Sequence, residues 1–299
     1  MQKAKLINQD SYEAPTTELE ISLCNIFAEV LGLEKVGITD DFFRIGGDSI
    51  VSIQLSSKLR KNGFSVSVRD IFDNRTVSKL ASHLESNVID EVAILREDGV
   101  LTGSIRLLPI QEWFFDNIHS DKFADYNHWN QSFMVKVPEL DIVKIEDVIA
   151  KLVNHHDILR VSYDIKSNTQ SYNQEISIPE VKHIDINDYS NDELHAELHA
   201  ELTAWQSSFD IENGPLFQVG YLSDYADGST RLYFALHHLI VDAVSWRILT
   251  EDLRNLYNQV VEDLGSKGSS YRQWVNALQE YADSHAFEKD YWINIISSY

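Results

Sequence analysis

Two short stretches of the sequence put reactive side chains where a fold can display them. In DDFFRIGGDSI, residues 40–50, Gly46 and Gly47 precede Asp48 and Ser49. Glycine lacks a Cβ, so the chain can turn sharply there and expose the residues after the turn. Ser49 then falls at a predicted helix N-terminus, where free N–H groups and the positive end of the dipole favour a phosphate. Such a hydroxyl is suited to hold a phosphodiester and present it outward. Taken alone, GDS is more often a capping serine after a glycine turn. In HHLIVDAVSWRIL, residues 237–249, His237 and His238 stand at the end of an apolar strand pattern (Leu232, Phe234, Leu236), with Asp242 four residues after His238. Adjacent strand residues point to opposite faces, so only one imidazole enters a given cleft. A neutral imidazole there is a general base near pH 7, its tautomer set by the partner of its other nitrogen. An HH pair near an aspartate is weak evidence by itself, because packed or surface histidines explain most such pairs. The pair in NHHDILR, residues 154–160, is expected to hold the fold. His195 and His199, at i and i+4 in ELHAELHAEL, lack a third ligand or an HExxH core and read as a solvated helix face. No metal site is expected.

The elements that must position these residues fall into two groups. PTTELEISLCNIFAEVLGL opens with the capping-box pattern Thr17-x-x-Glu20, repeats Leu19, Leu23, Ile26, Phe27 and Val30 at helical spacing, and stops at Gly32. A second helix, from Ser49 to about Gly63, sets Val51, Leu55 and Leu59 four residues apart. VRDIFDN reads as a short turn, and a last helix starts near Thr76 with Leu80 and Leu84 inward. A connector, SNVIDEVAILREDGVLTGS, comes next. Beyond it strands (SFMVKVPEL, LRVSYDI, GPLFQVGYLSD, TRLYFALHHLIV) alternate with helices (IEDVIAKLVNHHDIL, SNDELHAELHAELTAWQSSF, WRILTEDLRNLYNQVV), the mark of a layered α/β domain.

Composition agrees with two folded units. The 299 residues are 43% hydrophobic and 11% aromatic, enough for packed cores. A net charge of −22 argues against nucleic-acid binding, which needs a basic face. Residues 1–90 hold 13 acids and 10 bases against 34 and 15 in the remainder, so the two units have different surfaces. No apolar run is long enough to span a bilayer, and the first residues lack a secretory core. The lone Cys24, on an apolar helical stripe, reads as an inert buried thiol, and a reducing, cytoplasmic setting is expected.

With LGLEKVGI before it and DIFDNRTVSKLASHL after it, DDFFRIGGDSI closely resembles the thiolation (peptidyl carrier) domain of nonribosomal peptide synthetases. The likeness covers residues 13–86. It implies 4′-phosphopantetheine on Ser49, delivered from coenzyme A by a phosphopantetheinyl transferase, with Asp48 and Gly47 flanking the attachment. Carriers with GGDSI, rather than histidine before the serine, tend to precede epimerization domains. LLPIQEWFFDN (107–117), HWNQSF (128–133), NHHDILR, GPLF (214–217) and HHLIVDAVSWRIL, in that order, resemble the N-terminal half of the condensation and epimerization family. Within it, the NQS and SWRIL stretches look more like epimerization domains. The expected architecture is a small four-helix acyl-carrier bundle (13–86), a linker (87–104) and an α/β sandwich lobe resembling chloramphenicol acetyltransferase (105–299).

The chemistry this resemblance implies is inversion of the α-carbon of an aminoacyl or peptidyl thioester. His238 would be the base or acid at that carbon, and His237 and Asp242 would position the loop, Asp242 pairing with an arginine. An upstream adenylation domain and a downstream condensation domain are the implied neighbours. Two departures stand out. Ala243 replaces the family's glycine after the aspartate, a cost of about 1 kcal/mol if that backbone needs positive φ. The family also has a second lobe, which supplies a glutamate partner, and the ends of this chain read as those of a fragment. A condensation domain using His238 for amide formation, and a lobe that only docks the carrier, are the competing readings.

Overall fold

A computed structural model describes residues 12–86, 96–175, 177–189 and 194–298. They form two compact units, Met1–Ala93 and Ile94–Tyr299.

The first unit is a helical bundle: α1 (Glu18–Leu31), α2 (Ser49–Lys61), α3 (Val68–Asp73) and α4 (Val77–Ser86). The α1 capping box forms: the Glu20 amide donates to Thr17 Oγ1 at 3.1 Å, and the Thr17 amide donates to Glu20 Oε2 at 3.1 Å. Gly32 closes the helix in the left-handed region at φ 65°. VRDIFDN, read as a turn, is helix α3 instead. Ser67 and Asp70 form a reciprocal cap that starts a helix too short for a periodic signal, and Ile71 anchors it in the core. Phe27, Phe42, Leu55, Leu59, Ile71 and Leu80 are fully buried. Cys24 is 5% exposed, and burial pushes its thiol up to about 11, assisted by Glu20 and Asp40.

The second unit has two sheets. Strands β1 (Gly103–Ile105), β3 (Val161–Asp164) and β4 (Thr169–Tyr172) form a small antiparallel sheet in the order β1-β4-β3. The larger sheet has the order β2-β7-β6-β5, from β2 (Asn130–Val137), β5 (Val181–Asp185), β6 (Phe217–Ser223) and β7 (Thr230–His237), with only the β5–β6 pair parallel. Its helices are α5 (Pro109–His119), α6 (Ile142–His155), α7 (Leu194–Gln206), α8 (Ala243–Tyr257), α9 (Tyr271–Ser284) and α10 (Lys289–Ser297). Alternate residues of β7 divide the packing: Leu232, Phe234 and Leu236 face α6 and α8 across an apolar cavity of about 520 Å³, while Tyr233 meets Trp205 of α7. Helices therefore cover both faces. Gly220 of β6 is required by close approach, because a Cβ there would lie 2.2 Å from the Trp205 ring.

Part of the expected linker belongs to this unit. Residues 87–95 lie outside the described residues, but Glu97 pairs with Arg272, Leu101 is 6% exposed and β1 begins at Gly103. The anchor is a buried ion cluster. Asp157 meets Arg160 and, at 2.7 Å, Lys267; Arg160 donates to the carbonyls of Leu101 (3.2 Å) and Asn173 (3.0 Å).

Candidate functional site

In the first unit, the loop before α2 is built around Phe42. Its amide donates to the Arg75 carbonyl (2.8 Å), and its own carbonyl accepts from the Gly47 amide (2.9 Å). Gly46 has φ +116°, where a side chain is strained, and a Cβ on Gly47 would lie 2.4 Å from Phe42 Cε1. The two glycines thus do different work, one for backbone conformation and one for clearance. Asp48, not Ser49, is the N-cap: its Oδ1 accepts from the amides of Ile50 (2.9 Å) and Val51 (2.8 Å). Ser49 is the first helical residue and is exposed. This corrects the expectation that free helix amides await a phosphate, since two of them already serve a carboxylate. Ser52 Oγ donates to the Ser49 carbonyl at 2.7 Å. An exposed hydroxyl on a pinned backbone fits a covalent phosphodiester that needs no pocket.

In the second unit, β7 ends at His237, and His238 is the first residue past it. His237 is 0% exposed and points toward Phe114 and Phe209, with ring centroids 6.0 and 6.3 Å away. Its Nε2 lies 2.8 Å from the Tyr126 carbonyl, and its Nδ1 accepts from the Leu239 amide at 3.2 Å. The carbonyl accepts only, so the proton sits on Nε2. Burial pushes this imidazole down to about 4, against the opposing Tyr126 hydrogen bond, so it is neutral at pH 7. His237 bridges two loops and makes no contact a substrate can share.

His238 is exposed. Its amide donates to the Trp129 carbonyl (2.8 Å), its Nδ1 lies 2.9 Å from the Val241 carbonyl, and its Nε2 lies 3.3 Å from Gln131 Nε2. Tyr163, fully buried within the lobe, donates its hydroxyl to the Leu239 carbonyl at 3.1 Å, so the loop is held from beneath as well. Gln111 Nε2 in turn donates to the Tyr163 oxygen at 3.3 Å. Sequence reasoning gave Gln111, Tyr163 and Gln131 no role, because only the fold shows which of these side chains reach the loop.

Asp242 caps α8, accepting from the amides of Val244 (3.0 Å) and Ser245 (2.7 Å). Partial burial works to raise its carboxyl; the bonds from Ser245 and Val244 and the nearby His238 more than offset this and hold it below the usual range. The expected arginine partner is not found among the described residues: no ion pair to Asp242 forms there, and its Oδ1 serves the helix N-terminus instead. Ala243 is the first residue of α8 and lies outside the left-handed region, so alanine costs no backbone strain here. The other histidines sit elsewhere. His156 contacts Asp252 at 2.9 Å beyond the end of α6, and His195 and His199 are exposed on α7. Among the described residues no three His, Cys, Asp or Glu side chains are grouped to hold a metal ion, and no helix is long and apolar enough to cross a membrane.

Residues 102–299 match the family described as Condensation domain, and residues 22–84 match the one described as Phosphopantetheine attachment site. The chain belongs to the condensation-domain family. Its condensation-type lobe comes after a carrier unit, as in nonribosomal peptide synthetases, and the carrier implies covalently attached 4′-phosphopantetheine. N-(5-amino-5-carboxypentanoyl)-L-cysteinyl-D-valine synthase of Penicillium rubens is 36% identical over 96% of this chain. Tyrocidine synthase 2 of Brevibacillus parabrevis is likewise 36% identical over 96% of this chain. This condensation-family chain spans only 8% of the length of each of these two synthases. Among solved structures, the epimerization domain from the third module of tyrocidine synthetase B superposes with a TM-score of 0.59 at 33% identity, covering 68% of this chain and 47% of that one.

Proposed function

We propose that Ser49 carries an aminoacyl or peptidyl group through phosphopantetheine and that the condensation-type lobe serves L-to-D inversion at the acyl α-carbon, with His238 as the proton-transfer group. The observation that carries the reading is the 33% identity to an epimerization domain across the lobe. The Penicillium rubens relative is moreover named for a product that contains D-valine.

When loaded, the pantetheine thiol holds the acyl group as a thioester, whose carbonyl acidifies the α-hydrogen. This chain's residues then divide the remaining work. The Asp48 cap and the Gly46–Gly47 turn hold Ser49 outward. His238 presents an imidazole nitrogen that takes or returns a proton at the α-carbon. His237, buried and neutral, fixes the end of β7, and Asp242 fixes the start of α8, so the loop between them keeps its shape. The second proton-transfer group is expected from the second lobe that the resemblance implies. A phosphopantetheinyl transferase, an adenylation domain upstream and a condensation domain downstream are the partners this reading needs.

The test is α-hydrogen exchange. The chain is loaded with an L-aminoacyl pantetheine, joined by the second half of an epimerization domain and incubated in deuterated water. Deuterium at the α-carbon, lost in His238→Ala, is the expected result. A dipeptide formed with a second loaded carrier, without α-exchange, would favour condensation. Neither product, with the carrier still binding the lobe, would favour a docking role.

A further inference from the structure

The two sequence features that set this lobe apart, Gln131 in NQS and Trp246 in SWRIL, meet in the fold. The β2–β7 register pairs Gln131 with Leu236, beside the histidine loop. Trp246 stands in the first turn of α8, edge-on to Phe133 with ring centroids 4.7 Å apart. Its indole Nε1 donates to Gln131 Oε1 at 2.8 Å, and Gln131 Nε2 lies 3.3 Å from His238 Nε2. We propose that Gln131 and Trp246 form a relay that holds His238 with its proton on Nδ1 and Nε2 bare, making both positioning residues for proton transfer. The inference rests on the reading of His238 as the group that moves the α-hydrogen.

The assignment follows from hydrogen-bond capacity. An indole N–H can only donate, so the Gln131 atom facing it is the carbonyl oxygen. The amide NH2 must then face His238, and it too can only donate, so His238 Nε2 is the acceptor. Independently, the Val241 carbonyl at 2.9 Å can only accept, so His238 Nδ1 carries the hydrogen. Both ends of the ring demand the same tautomer. The other tautomer would set N–H against N–H at Gln131 and lone pair against lone pair at Val241. Losing two neutral hydrogen bonds disfavours it by roughly a hundredfold. His237 is held the opposite way, with its proton on Nε2, so two adjacent histidines are sorted into different jobs by their partners. Asp242 joins the device indirectly, since its carbonyl accepts the Trp246 amide at 3.2 Å and its side chain caps the helix that carries the indole.

The experiment is two-bond 15N–1H correlation of the imidazoles in the full labelled chain at neutral pH, with His238→Ala to assign the signals. The wild-type chain is expected to show the Nδ1–H tautomer at His238. Gln131→Glu puts an acceptor where the donor was and is expected to draw a proton onto Nε2. Trp246→Phe frees the Gln131 amide to turn over, so the Nε2–H form is expected to grow, and α-hydrogen exchange to fall roughly tenfold, the worth of one such bond. A wild-type proton on Nε2, or an unchanged His238 pattern in Gln131→Glu, would overturn the relay. The two claims separate cleanly. The expected tautomer in a loaded chain that exchanges no α-hydrogen even when joined by the second half of an epimerization domain keeps the relay and removes the epimerization reading. Exchange with the proton on Nε2 does the reverse.

Discussion

Replacing Gly47 by alanine tests the carrier unit at its tightest point. The added methyl would lie 2.4, 2.5 and 2.7 Å from three ring carbons of Phe42. That ring cannot retreat easily. It is fully buried, edge-on to Phe27 at 5.6 Å and to Phe43 at 5.1 Å. Overpacking of this kind costs about 1–3 kcal/mol, against a total stability on the order of 5 kcal/mol for a small domain. At about 2 kcal/mol the open population rises roughly thirtyfold. Amide hydrogen exchange followed peptide by peptide in the full chain reads this directly: amides in 18–31 and 49–61 are expected to exchange roughly thirtyfold faster. Peptides of the second unit should not change. Gly46→Ala is the control, since its Cβ meets nothing within 4 Å and only its φ of +116° resists substitution. Exchange in Gly47→Ala within twofold of wild type would show that the ring has room and that the glycine is not there for clearance.

Four further outcomes are expected. Burial lowers the His237 pKa from 6.5 to about 4, so the unfolded chain binds its proton first. The second unit should lose on the order of 3 kcal/mol as pH falls from 6.5 to about 4, and His237→Gln should flatten that part of a urea-denaturation pH profile. The Asp242 carboxyl is depressed when folded, so its contribution is present above the ordinary carboxylate range and fades as pH falls through the lower folded value. Asp242→Ala should cost about 1 kcal/mol at pH 7 in the same assay and Asp242→Asn much less, because asparagine keeps the cap. Asp157→Ala should cost about 3–5 kcal/mol in thermal unfolding, because Arg160, 3% exposed, would lose its carboxylate. Gly220→Ala should lower the melting temperature of the second unit by driving a methyl into Trp205, an effect that Trp205→Leu should relieve.

The parts of the fold that were legible in the sequence are those with long, regular signals. α1 announced itself through Thr17, Glu20 and Gly32, and α2 through Val51, Leu55 and Leu59, all of which the structure uses as expected. Of the three-stranded sheet only β3, within LRVSYDI, was legible. β1 has three residues, and β4, TQSY, buries Gln170, whose amide spans Gln111 and the Arg106 carbonyl, so a core position carries a polar residue. Helix α3 was missed because its capping box lies in a stretch of six residues. At the sites, the exposure of Ser49 followed from local pattern, but the burial of His237 and the role of Asp48 did not. A carboxylate one residue before a helix can cap it or pair elsewhere, and only the backbone angles decide. The company of His238 was likewise hidden, since Gln131 and Trp246 lie on different elements and meet only through strand register.

The inversion proposed for the lobe presupposes cargo on Ser49, and intact mass tests that point. The purified chain is treated with coenzyme A and a phosphopantetheinyl transferase, weighed, then digested to locate the added group. One phosphopantetheine on the peptide containing Ser49, absent in Ser49→Ala, is the expected result. A folded chain that gains no such group with several transferases, or gains it on another residue, would contradict the carrier assignment.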